Sequence, residues 1–155
     1  MARPRRHPED RRLREATSPR FPPRPAHRQL TGVLLDSDVI IDILRGRRQV
    51  VEAALALEGA GVPTYCTAIS WAEIYAGLRP GEEVLTESFF MARGEVVLDR
   101  VAGRCAGNFL ARYSKSQGLE MADALIAAAA VTTGLKLWTR NRRHYPMPEL
   151  QFYED

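Results

Sequence analysis

Carboxylates are the main chemical resource of this sequence. Beyond residue 30 the only histidine is His144, and the two cysteines, Cys66 and Cys105, stand 39 residues apart with no Cys-x-x-Cys spacing. A zinc site or a dithiol redox motif therefore has no material. The glycine-rich phosphate loops GxxxxGK[ST] and GxGxxG are absent, as are HExxH and GxSxG. What stands out is Asp36 with Asp38 two residues on, then Glu73, then Asp123. Three carboxylates brought to one place repel one another, and a bound divalent cation relieves that repulsion. A donor set of oxygens alone suits Mg2+ or Mn2+ rather than zinc. Each residue also has a purely local reading. Asp36, Ser37 and Asp38 suit a helix N-cap, Ser70-x-x-Glu73 fits a capping box, and Asp123 suits the positive end of a helix dipole.

The elements that must position these residues follow from the pattern of apolar side chains. Leu30 to Leu35 is a short apolar run ending at Asp36, which predicts a buried strand. Further strands are expected at Thr64 to Thr67, Val96 to Leu98 and Leu135 to Trp138. Helical spacing covers Asp38 to Leu44, Val50 to Ala60, Ser70 to Leu78, Glu82 to Ala92, Val101 to Gln117 and Met121 to Val131. Gly46, the Gly59–Gly61 pair and Gly134 supply stop signals. Strands alternating with helices predict right-handed βαβ units, a central mostly parallel sheet and a three-layer α/β/α sandwich. Such a sheet binds ligands at the carboxyl ends of its strands, the side on which Asp36, Glu73 and Asp123 are all expected.

The chain has 155 residues, enough for one domain with a proper core. Its 45 % hydrophobic and 26 % charged content is ordinary for a globular protein. Its longest membrane-like run, Ala124 to Val131, is far short of the ~20 residues needed to span a bilayer. The formal net charge of +3 is unevenly spread: residues 1–30 carry nine arginines against Glu9, Asp10 and Glu15, together with six of the ten prolines. Residues 1–29 read as a disordered Arg/Pro-rich tail, because so few large apolar groups cannot offset the ordering entropy. Residues 30–155 read as one domain, and the expected setting is the cytoplasm.

Four segments carry a family resemblance. Leu34-Leu35-Asp36-Ser37-Asp38-Val39-Ile40-Ile41-Asp42 resembles the opening motif of the PIN-domain ribonucleases, in particular the VapC toxins of toxin–antitoxin pairs. Ala68 to Leu78 resembles their second motif, with its acidic residue at Glu73. Ala122 to Ala130 resembles the third around Asp123, and Leu137 to Tyr145 the fourth around Asn141. The order and spacing agree across about residues 33 to 155. Asp-x-Asp after an apolar strand also resembles haloacid-dehalogenase-like phosphatases. That family uses a lysine and a later acidic pair, whereas here the only lysines are Lys115 and Lys136 and no Asp-Asp pair exists.

The resemblance implies a PIN-like fold and an endoribonuclease acting on single-stranded regions of RNA with Mg2+ or Mn2+. It implies metal ligands at Asp36, Glu73 and Asp123, with Asn141 at a fourth position that is often Asp in the family. It implies auxiliary roles for Asp38 and Thr139. Arg140, Arg142 and Arg143 are candidates for RNA-phosphate contacts, although a run of charge like this is more commonly a solvated surface. A small antitoxin partner and a homodimer are expected on the same ground. The apolar residues Trp71, Ile74, Tyr75, Leu78, Phe89 and Phe90 exceed what one core was expected to use. The contrasting expectation is an inert PIN-like module that only binds RNA or protein. A clustered acidic trio opposes it, since a pure RNA-binding surface gains nothing from negative charge.

Overall fold

A computed structural model of the chain describes residues 29–154. The expected tail falls outside them, apart from Gln29. Four strands are found among the described residues: β1 Val33–Leu35, β2 Thr64–Thr67, β3 Gly94–Val96 and β4 Lys136–Trp138. All pair in parallel, in the order β3-β2-β1-β4. Six α-helices are described: α1 Ser37–Leu44, α2 Arg48–Gly59, α3 Ala68–Ala76, α4 Glu83–Met91, α5 Arg100–Gln117 and α6 Met121–Thr133. A 3-10 turn follows at Arg142–His144. The chain steps outward from β1 to β2 to β3 and then returns to place β4 on the other side of β1. That reversal makes a topological switch point between β1 and β4, where sheets of this kind bind ligands.

Alternation along the short strands divides the interior into two layers. Leu34 and Leu137 face α5 and α6, packing with Ala106, Phe109, Ile126 and Ala127. Val33, Leu35 and Trp138 face the other way, against Val39, Ile40, Val50, Ile74 and Phe90 from α1–α4. The register Leu34↔Leu137 and Leu35↔Trp138 keeps matching side chains in the same layer. In α6, Ala124 and Ala127 to Ala130 are all fully buried. Their small side chains let this helix sit close to both the sheet and α5, its most extensive partner. The three-layer α/β/α sandwich is as expected.

Some boundaries moved. The third strand is Gly94–Val96 rather than Val96–Leu98, because pairing with β2 overrides β-propensity. Tyr65 lies over Gly94, where a Cβ would sit 2.5 Å from its ring, so any larger residue in that register would have to displace the ring. Gly32 is constrained as well: its φ of +135° and the Pro63 carbonyl oxygen, 2.2 Å from a would-be Cβ, exclude any side chain. Helix α3 starts at Ala68, with Thr67 as its cap, accepting from the Ser70 N–H at 3.4 Å. The Ser70–Glu73 capping box is therefore not formed.

The supposed surplus of apolar side chains is largely used inside. Ile74, Phe89 and Phe90 are buried, and Trp71 stacks on Phe90 with ring centroids 4.2 Å apart. Among the described residues, exposed large apolar groups include Val84, Leu85 and Met91 on α4 and Tyr75, at 41 % exposure, on α3, with Leu55, Val97, Val101 and Met121 elsewhere. No helix among the described residues is long and apolar enough to cross a membrane.

Candidate active site

The β1–β4 switch point is where the acidic residues gather. Asp36 ends β1, its N–H donating to the Trp138 carbonyl at 2.9 Å. This extra rung of the ladder fixes its backbone as α1 begins. Asp36 is both the cap residue of α1 and a member of the cluster. Its Oδ1 accepts the Ser37 N–H at 2.8 Å, and its Oδ2 accepts the Tyr145 hydroxyl at 2.7 Å. Only 7 % of Asp36 is exposed, so these two donors carry much of the burden of keeping a buried carboxylate solvated.

The other acidic groups arrive from three different elements. Asp38 lies in the first turn of α1, where its Oδ2 accepts the Arg140 N–H at 3.0 Å and the Thr139 hydroxyl at 3.4 Å. Its Oδ1 is buried and has no partner. Glu73, one turn into α3, accepts a hydrogen bond from the Ser37 hydroxyl and is otherwise exposed. That contact ties the first motif to the second. Asp123, in the first turn of α6, has its Oδ2 3.5 Å from His144 Nδ1.

The gathering has electrostatic consequences. Burial, then the negative charge of Asp36, pushes the Asp38 carboxyl up to about 6. Asp123 is raised by burial and by Asp36, with smaller contributions from Glu120 and Glu73, while His144 opposes the shift. Tyr145 is driven well above the ordinary phenol range by burial and by Asp36. Carboxylates coupled in this way favour bound protons or bound cations.

Asn141 is placed less centrally than expected. Its Nδ2 lies 3.0 Å from His144 Nε2, and its Oδ1 accepts from Arg143 Nε at 2.9 Å. It meets the carboxylates through His144. Thr139, which accepts the Asn141 N–H at 3.0 Å, joins this turn to Asp38. Arg142 donates to Glu154 and to the Tyr153 carbonyl and lies over the Phe152 ring, clamping the C-terminal segment. Arg140 and Arg143 remain at the rim, Arg140 lying 3.9 Å from Asp42.

Sequence reasoning missed Ser37, His144 and Tyr145 as members of the site. All three lie inside the motif segments, but hydroxyl and ring contacts spanning 36 and 109 residues leave no local periodicity to detect them by.

The donor set fits a hard divalent cation. Every candidate ligand atom is a carboxylate oxygen, and the buried, unpartnered Asp38 Oδ1 marks unmet polar demand beside the cluster. Among the described residues, no group of three or more His, Cys, Asp or Glu side chains is placed to hold a metal ion, so the fit rests on the chemistry of the donors and not on a formed cage.

Comparison with known proteins gives a consistent result. Residues 33–150 match the PIN domain family. Ribonuclease VapC19 of Mycobacterium tuberculosis is 32 % identical over 120 residues, covering 76 % of this chain and 96 % of that protein. Ribonuclease VapC10 of the same organism is 32 % identical over 118 residues, covering 76 % and 88 %. Among solved structures, the DNA-bound VapBC from Salmonella typhimurium superposes with a TM-score of 0.67 at 20 % identity, covering 80 % of this chain and 98 % of that one. At that identity the likeness establishes the fold alone. The matched span includes all four motif segments, and the phosphatase reading is set aside.

Proposed function

This chain belongs to the PIN-domain family, and from that premise we propose that it is an endoribonuclease, the toxin of a toxin–antitoxin pair, cutting single-stranded RNA with Mg2+ or Mn2+. The observation that carries the reading is the meeting of Asp36, Asp38, Glu73 and Asp123 at the β1–β4 switch point. Asp36 there is buried, and among the described residues its side chain is held by the Ser37 N–H and the Tyr145 hydroxyl, both neutral donors.

Asp36, Asp123 and Glu73 are the residues that would hold the cation. When bound, such an ion supplies charge neutralisation at a phosphodiester and makes water easier to ionise. The chain's own groups do the positioning. Ser37 holds Glu73 Oε2, which leaves Oε1 to take part in holding the cation or to accept a hydrogen bond from a water. Thr139 and the Arg140 N–H hold Asp38 Oδ2, which stiffens the start of α1 beside Asp36. Arg140 and Arg143 supply positive charge at the rim for flanking RNA phosphates. Asn141 and His144 support Asp123 from the turn after β4.

The proposed partners are RNA, a small antitoxin and a second copy of the chain, acting in the cytoplasm. Leaving a nuclease active in its own cell calls for a blocking partner. A groove of about 180 Å³ beside Glu73, lined by Ile41, Leu44, Ile74, Leu78 and Leu85, offers apolar surface next to the carboxylates. The function is tested by incubating a single-stranded RNA with the pure protein in Mg2+, Mn2+ or chelator. Cleavage with either metal and none in chelator is expected; equal cleavage in chelator would refute the metal-dependent mechanism.

A further inference from the structure

We propose that Tyr145 is a positioning residue of this site: its hydroxyl sets the Asp36 carboxylate in the orientation in which it takes a divalent cation. The proposal deepens the metal-dependent reading above and rests on it.

Three observations carry it. Tyr145 is only 4 % exposed, and its ring belongs to the core layer between the sheet and α5–α6. Its backbone is held at the end of the 3-10 turn, where its N–H donates to the Arg142 carbonyl at 2.9 Å. Its hydroxyl donates to Asp36 Oδ2 at 2.7 Å. A ring packed on this scale cannot swing its oxygen away without disturbing the core.

The chemistry of Asp36 shows why that hydroxyl matters. Among the described residues, its side-chain hydrogen bonds come from the Ser37 N–H on Oδ1 and the Tyr145 hydroxyl on Oδ2. The first is a main-chain donor that any residue but proline would supply at position 37. The second depends on tyrosine, since phenylalanine would fill the same core space and leave Oδ2 bare. Each oxygen keeps a further lone pair, so the carboxylate is oriented and still able to bind an ion. Outer partners of this kind commonly govern how well a carboxylate binds metal.

The test uses the full chain, with Mn2+ as the probe. Calorimetric titration of metal-free protein should show Tyr145→Phe binding Mn2+ roughly 10–100-fold more weakly than wild type, with an unchanged far-UV spectrum. In chelator, Tyr145→Phe should raise the urea unfolding constant of the wild type by roughly tenfold or more, and that of Asp36→Ala by far less. Equal effects in both backgrounds would mean that the hydroxyl acts independently of Asp36, and would overturn the proposal. Wild-type Mn2+ affinity in Tyr145→Phe would overturn it too, while leaving the metal reading intact. Absence of Mn2+ binding by the wild type would remove both. Should Tyr145→Phe fail to fold, adding Asp36→Asn should restore folding by removing the buried charge; failure to do so would likewise overturn the proposal.

Discussion

Asp38 shows most directly what clustering does to a single side chain. Its carboxyl, ordinarily near 3.8, is pushed up to about 6 by burial and by Asp36. The folded state therefore holds this proton more tightly than the unfolded chain does. Stability falls as pH rises from about 4 to about 6, and the whole deficit is present above that window. In chelator, Asp38→Asn should be more stable than wild type at pH 7.5 by roughly 1–3 kcal/mol, the gap closing toward pH 4. Urea unfolding at the two pH values checks this, and equal stability at both would mean that Asp38 is not strained by its neighbours. Cys66 illustrates burial acting without chemistry. Its thiol is pushed up to about 12, so iodoacetamide at pH 8 should label it only after unfolding. Rapid labelling of Cys66 in the native protein would show that the layer beneath β2 opens readily.

At the scale of elements, the short strands act as rails that end in site residues, and the helices fix their spacing. Thr67 caps α3, the helix that carries Glu73. Thr67→Ala should cost about 1 kcal/mol, with activity reduced mainly through a displaced Glu73; an unchanged unfolding midpoint would show that the cap contributes nothing. Much of this level was legible in the sequence. The apolar run ending at Asp36 and the Gly134 stop of α6 are local signals, and both are realised. The shift of β3 and the lost capping box were not legible, because sheet register and the Thr67 hydroxyl decided them. Likewise, local patterning could not say that Ser37 reaches Glu73 or that Tyr145 reaches Asp36, since only the assembled layers bring those groups together.

For the whole molecule, the topology places function at one edge. The return of β4 beside β1 joins the first and fourth motifs, and α3 and α6 deliver Glu73 and Asp123 to the same edge. Residues 1–29 precede β1, whose opposite end carries Asp36. Deleting them should leave the fold and the cleavage rate at saturating RNA unchanged. If their arginines attract phosphate, the truncated protein will bind RNA more weakly at low salt, with a shallower dependence on ionic strength. A fall in the saturated rate would place part of the catalytic domain within those residues. The central claim, that the gathered carboxylates perform metal-dependent RNA cleavage, is tested most directly by substituting them one at a time in a protein that still folds. Single-turnover cleavage of one single-stranded RNA in Mg2+ should be measured for wild type, Asp36→Asn, Glu73→Gln and Asp123→Asn, with unfolding midpoints taken in chelator. The account predicts that all three variants lose cleavage while their midpoints equal or exceed that of the wild type. Full activity in any one of them, or loss of activity only through unfolding, would contradict it.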